Sequence, residues 1–189
     1  MDHSNSLEEV TENTKLWMPN LNLRVPVNGA DIKGFKQWIN LKGFSPEHPS
    51  YDFVAYVKED GEVVVGLPNS TQVIAVADGI VKEIDYVSMT PSVVIEHGRE
   101  GSGLLSSYTY VEPSTYIKHQ VKKGHQVKKG DGIGALYQIK YNLVTRLPPK
   151  NPVSLHFSLY HKVSGKQIQV DPSKIFSGLN HRIEKELKW

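Results

Sequence analysis

From Tyr51 onward the chain runs in short apolar stretches broken by polar turn residues. The β-rich runs are Val63 to Val65, Val73 to Ala77, Ile80 to Ile84, Val93 to Glu96, Leu104 to Tyr110 and Ser154 to Tyr160. They recur at intervals of roughly ten residues, the spacing of antiparallel strands joined by tight connections. Between them lie Glu59-Asp60-Gly61, Pro68-Asn69-Ser70, Asp78-Gly79, His97-Gly98 with Gly101 and Gly103, and Asp131-Gly132, all residues that favour turns. The pattern predicts a mainly β fold.

The two ends read differently. Leu16 to Val27 is mixed, and Asp31 to Leu41 fits a short amphipathic helix around Phe35, Trp38 and Ile39. Residues 1–45 are therefore expected to form an irregular N-terminal arm packing on the core. Lys140 to Pro152 carries Pro148, Pro149 and Pro152, which cannot donate ladder hydrogen bonds, so a loop beside the last strands is expected. The tail, 177–189, is expected to hold a turn or two of surface helix within Asn180 to Trp189. An immediate repeat, His119-Gln-Val-Lys-Lys-Gly124 followed by His125-Gln-Val-Lys-Lys-Gly130, is too short and too few in copies for a solenoid. A pair of turns at a strand edge, with lysines blocking edge-to-edge pairing, is the expected form, against a basic partner-binding strip.

Composition narrows the function classes. The 189 residues are 39% hydrophobic and 22% charged, enough for one domain with a core and too apolar for global disorder. With 22 basic and 20 acidic residues the net charge is +2, so charge alone points to no nucleic-acid partner. The longest apolar runs, Phe53 to Val57 and Val73 to Ala77, fall far short of the roughly 20 residues of a membrane-spanning helix. Met1 to Leu16 is polar, with Asp2, Glu8, Glu9 and Glu12, and lacks the features of a secretory signal. If Met1 is the native start, a cytoplasmic location follows.

There is no cysteine and there are eight histidines, so a zinc ion here would have to rest on His, Asp or Glu. His3, His161 and His181 lie in polar surroundings, and His119 and His125 in the lysine-rich repeat; solvated surface roles are expected for all five. His97 ends a strand and reads as structural. Two places remain. His48-Pro-Ser-Tyr-Asp52 sets an imidazole and a carboxylate four residues apart. In Ser154-Leu-His156-Phe157, alternation points Ser154 and His156 to one face and Leu155 and Phe157 to the other.

Taken in order, His48-Pro-Ser-Tyr-Asp52-Phe, Gly66 to Val81 with Asp78-Gly79, Val94-Ile-Glu-His97-Gly98, Ser107-Tyr-Thr-Tyr110, Val127-Lys-Lys-Gly130-Asp-Gly-Ile133-Gly134, Leu155-His156-Phe157 and Val170-Asp-Pro172 resemble the lysostaphin/LytM-like zinc metallopeptidase family. The resemblance spans about residues 46–176. It implies a compact antiparallel two-sheet β core with a groove, flanked by the arm and the short C-terminal helix, and a location in the cell envelope. Family members bind zinc and cut peptide bridges or stems in bacterial cell walls, often at glycine. Carried over position by position, the metal ligands of their HxGxD and HxH motifs fall on His48, Asp52 and His156, with Ser50 where the family has glycine.

The family's two catalytic histidines, by the same carry-over, fall on Tyr110 and Ser154. Peptide hydrolysis at zinc needs a group that takes the proton of the attacking water and one that holds the oxyanion. A serine without an adjacent base is a poor proton acceptor, and a phenol of pKa about 10 can donate to an oxyanion but cannot serve as a base near neutrality. Losing the base costs roughly 10² to 10⁴ in rate. No HExxH motif supplies a substitute, and His161 points by parity to the other face from His156. The expected function is a zinc-binding, catalytically impaired domain that binds a peptide, a peptidoglycan stem or a protein partner. The alternative is an active zinc metalloendopeptidase acting on cell-wall peptides with Tyr110 as electrophile. Phrases such as Ala77-Asp-Gly-Ile-Val-Lys82 also resemble biotinyl or lipoyl carrier domains, but the modified-lysine turn those domains require is missing.

Overall fold

Alternation of inward and outward side chains builds three sheets. The computed structural model describes residues 27, 32–40, 44–45, 47–68, 71–86, 90–98, 103–112, 115, 121–136, 153–163, 166–176 and 179–181. Its strands are β1 (Phe35–Asn40), β2 (Tyr51–Phe53), β3 (Ala55–Lys58), β4 (Val63–Val65), β5 (Gln72–Ile74), β6 (Gly79–Asp85), β7 (Ser92–His97), β8 (Leu104–Thr109), β9 (Gln126–Val127), β10 (Gly132–Ala135), β11 (Leu155–Val163), β12 (Lys166–Val170) and β13 (Leu179–His181). A seven-stranded sheet has the order β12-β11-β8-β7-β6-β9, with β2 pairing the start of β11 at Leu155 to Phe157; β13-β1-β3-β4 form a second sheet and β10-β5 a third. Every pairing is antiparallel except that of β1 with β13. The mainly β, antiparallel expectation holds.

The core lies on the inner face of the large sheet. Leu155, Phe157 and Leu159 of β11, Leu104, Ser106 and Tyr108 of β8, and Val93, Ile95 and His97 of β7 all point inward and are buried. Phe157 meets Tyr108 at 5.3 Å and Phe53 at 6.3 Å between ring centroids, and Phe53 meets Trp38 of the second sheet at 5.4 Å. Tyr108 is wholly buried, which raises its pKa, and its hydroxyl accepts the Val76 N–H at 3.0 Å. Fully burying side chains of this size is worth roughly 1.5–3 kcal/mol each. Because the side-chain period of a strand is two, this core also fixes which residues face outward: a one-residue slip of β2 or β11 would bury Asp52 and His156 and expose phenylalanine.

Two expectations at the ends are corrected. Phe35, Trp38 and Ile39 lie on strand β1 and not on a helix. Trp38 joins the main core, whereas Ile39 packs with Ala55 in a separate apolar cluster. A strand flanked on both edges and covered on both faces buries consecutive residues, and that removes the polar–apolar alternation by which a strand is read. Likewise Leu179–His181 is a strand, paired with β1 at Trp38↔Leu179 and Asn40↔His181, so the start of the expected tail helix is extended. Residues 1–26, 116–120, 137–152 and 182–189, with His3, His119, the Pro148–Pro149 loop and the rest of the tail, lie outside the described residues.

The hexapeptide repeat forms the expected turns. His125 N–H donates to Lys122 O at 3.0 Å and Asp131 N–H to Lys128 O at 2.9 Å, while Gly124 and Gly130 both take positive φ, 82° and 88°. The segment between the turns is β9, on the edge of the seven-stranded sheet. His125 is half-buried, contrary to the solvated role expected of it.

Candidate metal centre

Two side chains four residues apart and a third about a hundred positions away converge on the outer face of the large sheet. Asp52 is the central residue of β2, pinned between the buried Tyr51 and Phe53; His156 is pinned between Leu155 and Phe157 on β11. The register places Asp52 directly opposite His156, and His156 opposite Thr109 of β8. His48 arrives from a tight turn just before β2. Its carbonyl accepts the Ser50 N–H at 2.9 Å across Pro49, whose ring-locked φ suits the centre of such a turn, and its N–H donates to Ser45 O and Oγ, each at 3.1 Å.

The carboxylate sits between the two imidazoles. His156 Nδ1 lies 2.7 Å from Asp52 Oδ1 and His48 Nε2 lies 3.1 Å from Asp52 Oδ2, with side chains 34%, 22% and 14% exposed for His156, His48 and Asp52. An ionised carboxylate only accepts, so both nitrogens donate to it. The rings stand at 77° to one another with centroids 5.4 Å apart. One ligand atom from each of the three residues falls within 4.8 Å of the other two. Two imidazoles and a carboxylate form a donor set suited to zinc, whose open sites use three protein ligands. The residues fit such an ion; to ligate it, each nitrogen that now donates would shift its proton to the other ring nitrogen.

The remaining predicted positions flank this cluster. Ser154 lies two residues before His156, half-buried, just ahead of β11. Tyr110 follows directly on β8, next to the Thr109 that pairs with His156. It has φ 70°, unusual for a side chain with a Cβ, and its N–H donates to Pro91 O at 2.8 Å. His97 is apart from the cluster: it points into the core, as its structural reading expects.

With this geometry in place, comparison with known proteins decides the family. The profile of peptidase family M23 matches residues 59–172, more than half of the chain. The chain belongs to peptidase family M23. The matched region includes His156, Tyr110 and Ser154 and begins after His48 and Asp52. Similar solved structures are of the LytM and lysostaphin type. A LytM-type protein of Ruminococcus gnavus is 20% identical, with 69% of this chain and 49% of that chain covered and a TM-score of 0.47. Lysostaphin from Staphylococcus simulans is 18% identical, with 74% and 48% covered and a TM-score of 0.47. A variant catalytic domain of the prophage-encoded M23 protein EnpA from Enterococcus faecalis is 18% identical, with 74% and 90% covered and a TM-score of 0.45. This chain thus spans about half the length of the first two. None of the curated proteins searched matches the chain significantly.

One residue beside this cluster was underrated by sequence reasoning. Ser50 reads as a change to the local turn, yet it is 0% exposed and its Oγ lies 3.1 Å from His48 Nε2 and 3.3 Å from His156 Nδ1. The sequence carried no signal for this: the tight turn at Pro49, and not strand alternation, brings Ser50 against the two imidazoles.

Proposed function

We propose that this M23 chain is a zinc-binding module that holds a peptide, a peptidoglycan stem or a protein partner and cleaves it feebly or not at all. The observation that carries the reading is the contrast within one site: His48, Asp52 and His156 converge as a ligand set, while the positions at which the family resemblance calls for catalytic histidines hold Tyr110 and Ser154. Zinc bound there supplies Lewis acidity for a peptide carbonyl. Hydrolysis also needs a base for the water's proton. Ser154 hydroxyl has no basic group as its neighbour in sequence, and a tyrosine hydroxyl at position 110 can give a hydrogen bond to an oxyanion without accepting a proton near neutral pH.

The outer face of the sheet supports binding of an extended chain. Alongside Asp52 and His156, the register aligns Thr109 and Ser92 in one row and Ser158 with Ser107 in the next. These are hydroxyl groups able to give and accept hydrogen bonds with a peptide backbone. Purified protein loaded with zinc is expected to carry one metal per chain and to bind glycine-rich peptides or peptidoglycan fragments without sustained turnover. Sustained turnover that disappears in His156→Ala would establish the working-peptidase reading instead, and failure to bind any metal would end the zinc-binding one.

A further inference from the structure

The three ligands do not fill the centre by themselves. Ser50 is fully buried, and its hydroxyl oxygen stands against the same two ring nitrogens that face Asp52. Ser50 Oγ lies 3.1 Å from His48 Nε2 and 3.3 Å from His156 Nδ1, while His48 Nε2 lies 3.1 Å from Asp52 Oδ2 and His156 Nδ1 2.7 Å from Asp52 Oδ1. Four donors arranged tetrahedrally at zinc bond lengths of about 2.0–2.1 Å lie about 3.3–3.4 Å from one another. The two Ser50 separations already approach that value, whereas His48 and His156 each approach a different oxygen of Asp52, one of which would serve as the single carboxylate donor. The hydroxyl oxygen is thus within hydrogen-bond distance of both imidazole nitrogens at once, the position from which a bound ion would also be reached.

We infer that Ser50 Oγ is the fourth protein donor of the metal centre, so that the site is closed by the chain itself. Sites with four protein donors are structural, whereas catalytic zinc keeps one position for water or substrate. This inference rests on the zinc-binding reading above and deepens it. Closure would oppose hydrolysis independently of Tyr110 and Ser154, because a substrate carbonyl would have to displace the serine. It would also make the metal a brace between the turn at His48 and strand β11.

The test uses the full chain loaded with Co²⁺, whose visible spectrum reports its donors, together with zinc affinity by calorimetry. In the parent protein, added azide should leave the cobalt spectrum unchanged. In Ser50→Ala, azide should bind and change it, and zinc affinity should fall about 10- to 100-fold, the range typical of losing a group that supports a metal site. In Ser50→Cys, a near-ultraviolet thiolate-to-cobalt charge-transfer band should appear, because a sulfur at this position would reach the metal; this variant also decides the matter if Ser50→Ala fails to fold. The inference is overturned if the parent already responds to azide, if Ser50→Ala matches the parent in affinity and azide response, or if Ser50→Cys shows no such band. Metal bound by the parent with any of those results leaves the zinc-binding reading standing; no metal bound by the parent overturns both.

Discussion

His97 and His156 lie on β7 and β11 of one sheet, with only β8 between them, and the two imidazoles have opposite fates. His97 points inward and is 0% exposed, with Nδ1 3.1 Å from the Asp78 carbonyl oxygen and Nε2 2.6 Å from Ser106 Oγ. The carbonyl can only accept, so Nδ1 donates to it and Nε2 accepts from the serine hydroxyl. Both nitrogens are thereby used within the fold, and burial pushes the pKa down to about 4, leaving the ring neutral. His156 points outward, shares a carboxylate with His48 and lies within reach of solvent. Residue type is the same in both places. Strand parity and the partner on the far side of each nitrogen decide which is structural and which is available for a ligand.

Exchange of roles between these histidines would break the comparison. His156→Ala should lower metal affinity at least about 100-fold, since losing even a supporting partner of a metal ligand costs 10- to 100-fold. Stability of the metal-free protein should barely change, because the ring is partly exposed. His97→Ala should do the reverse: metal affinity of the folded protein stays, while stability in urea drops by about 3 kcal/mol or more from the cavity and the stranded Ser106 and Asp78 groups.

The pH dependence of stability sharpens it further. His97 has a folded pKa of about 4 against an ordinary 6.5, so between these values the unfolded chain takes up a proton that the folded chain refuses. Its contribution is complete above pH 6.5 and is lost as pH falls toward 4, a total of about 3 kcal/mol. Urea midpoints measured across this range should fall in the parent by an increment missing from His97→Gln.

Smaller effects surround the same ring. A Cβ on Gly79 would meet Glu96 O at 2.4 Å and His97 Nδ1 at 2.9 Å, so Gly79→Ala should cost about 1–3 kcal/mol by forcing β6 and β7 apart. Asp78 ties the second lysine turn to this corner: Oδ1 accepts the Lys129 N–H at 2.8 Å and Oδ2 the Lys128 ammonium at 3.1 Å, which holds its carboxyl below the usual range. The pair is exposed, so Asp78→Ala should cost only about 1 kcal/mol in a thermal or urea melt.

Much of this was legible without coordinates. The runs around β4, β6, β7, β8 and β11 follow from short apolar stretches between turn residues, a local property, and the outward placement of His156 follows from alternation with Leu155 and Phe157. The candidate ligands His48, Asp52 and His156 were readable from residue chemistry and from the order of motifs. Alternation failed at β1, because both of its faces are covered, and at β13, because three residues carry too little pattern to read.

What the sequence alone determined is therefore the β character and the residues of the candidate centre, together with the expectation, from the family resemblance, that Tyr110 and Ser154 stand where catalytic histidines would. Only the tertiary structure decided how those residues meet. His156 reaches Asp52 across 104 positions of chain and Ser50 across 106, contacts that depend on β2 pairing with β11 in one register. That register is set by the aromatic core beneath it, since Phe53 and Phe157 can be buried together only if Asp52 and His156 face outward together.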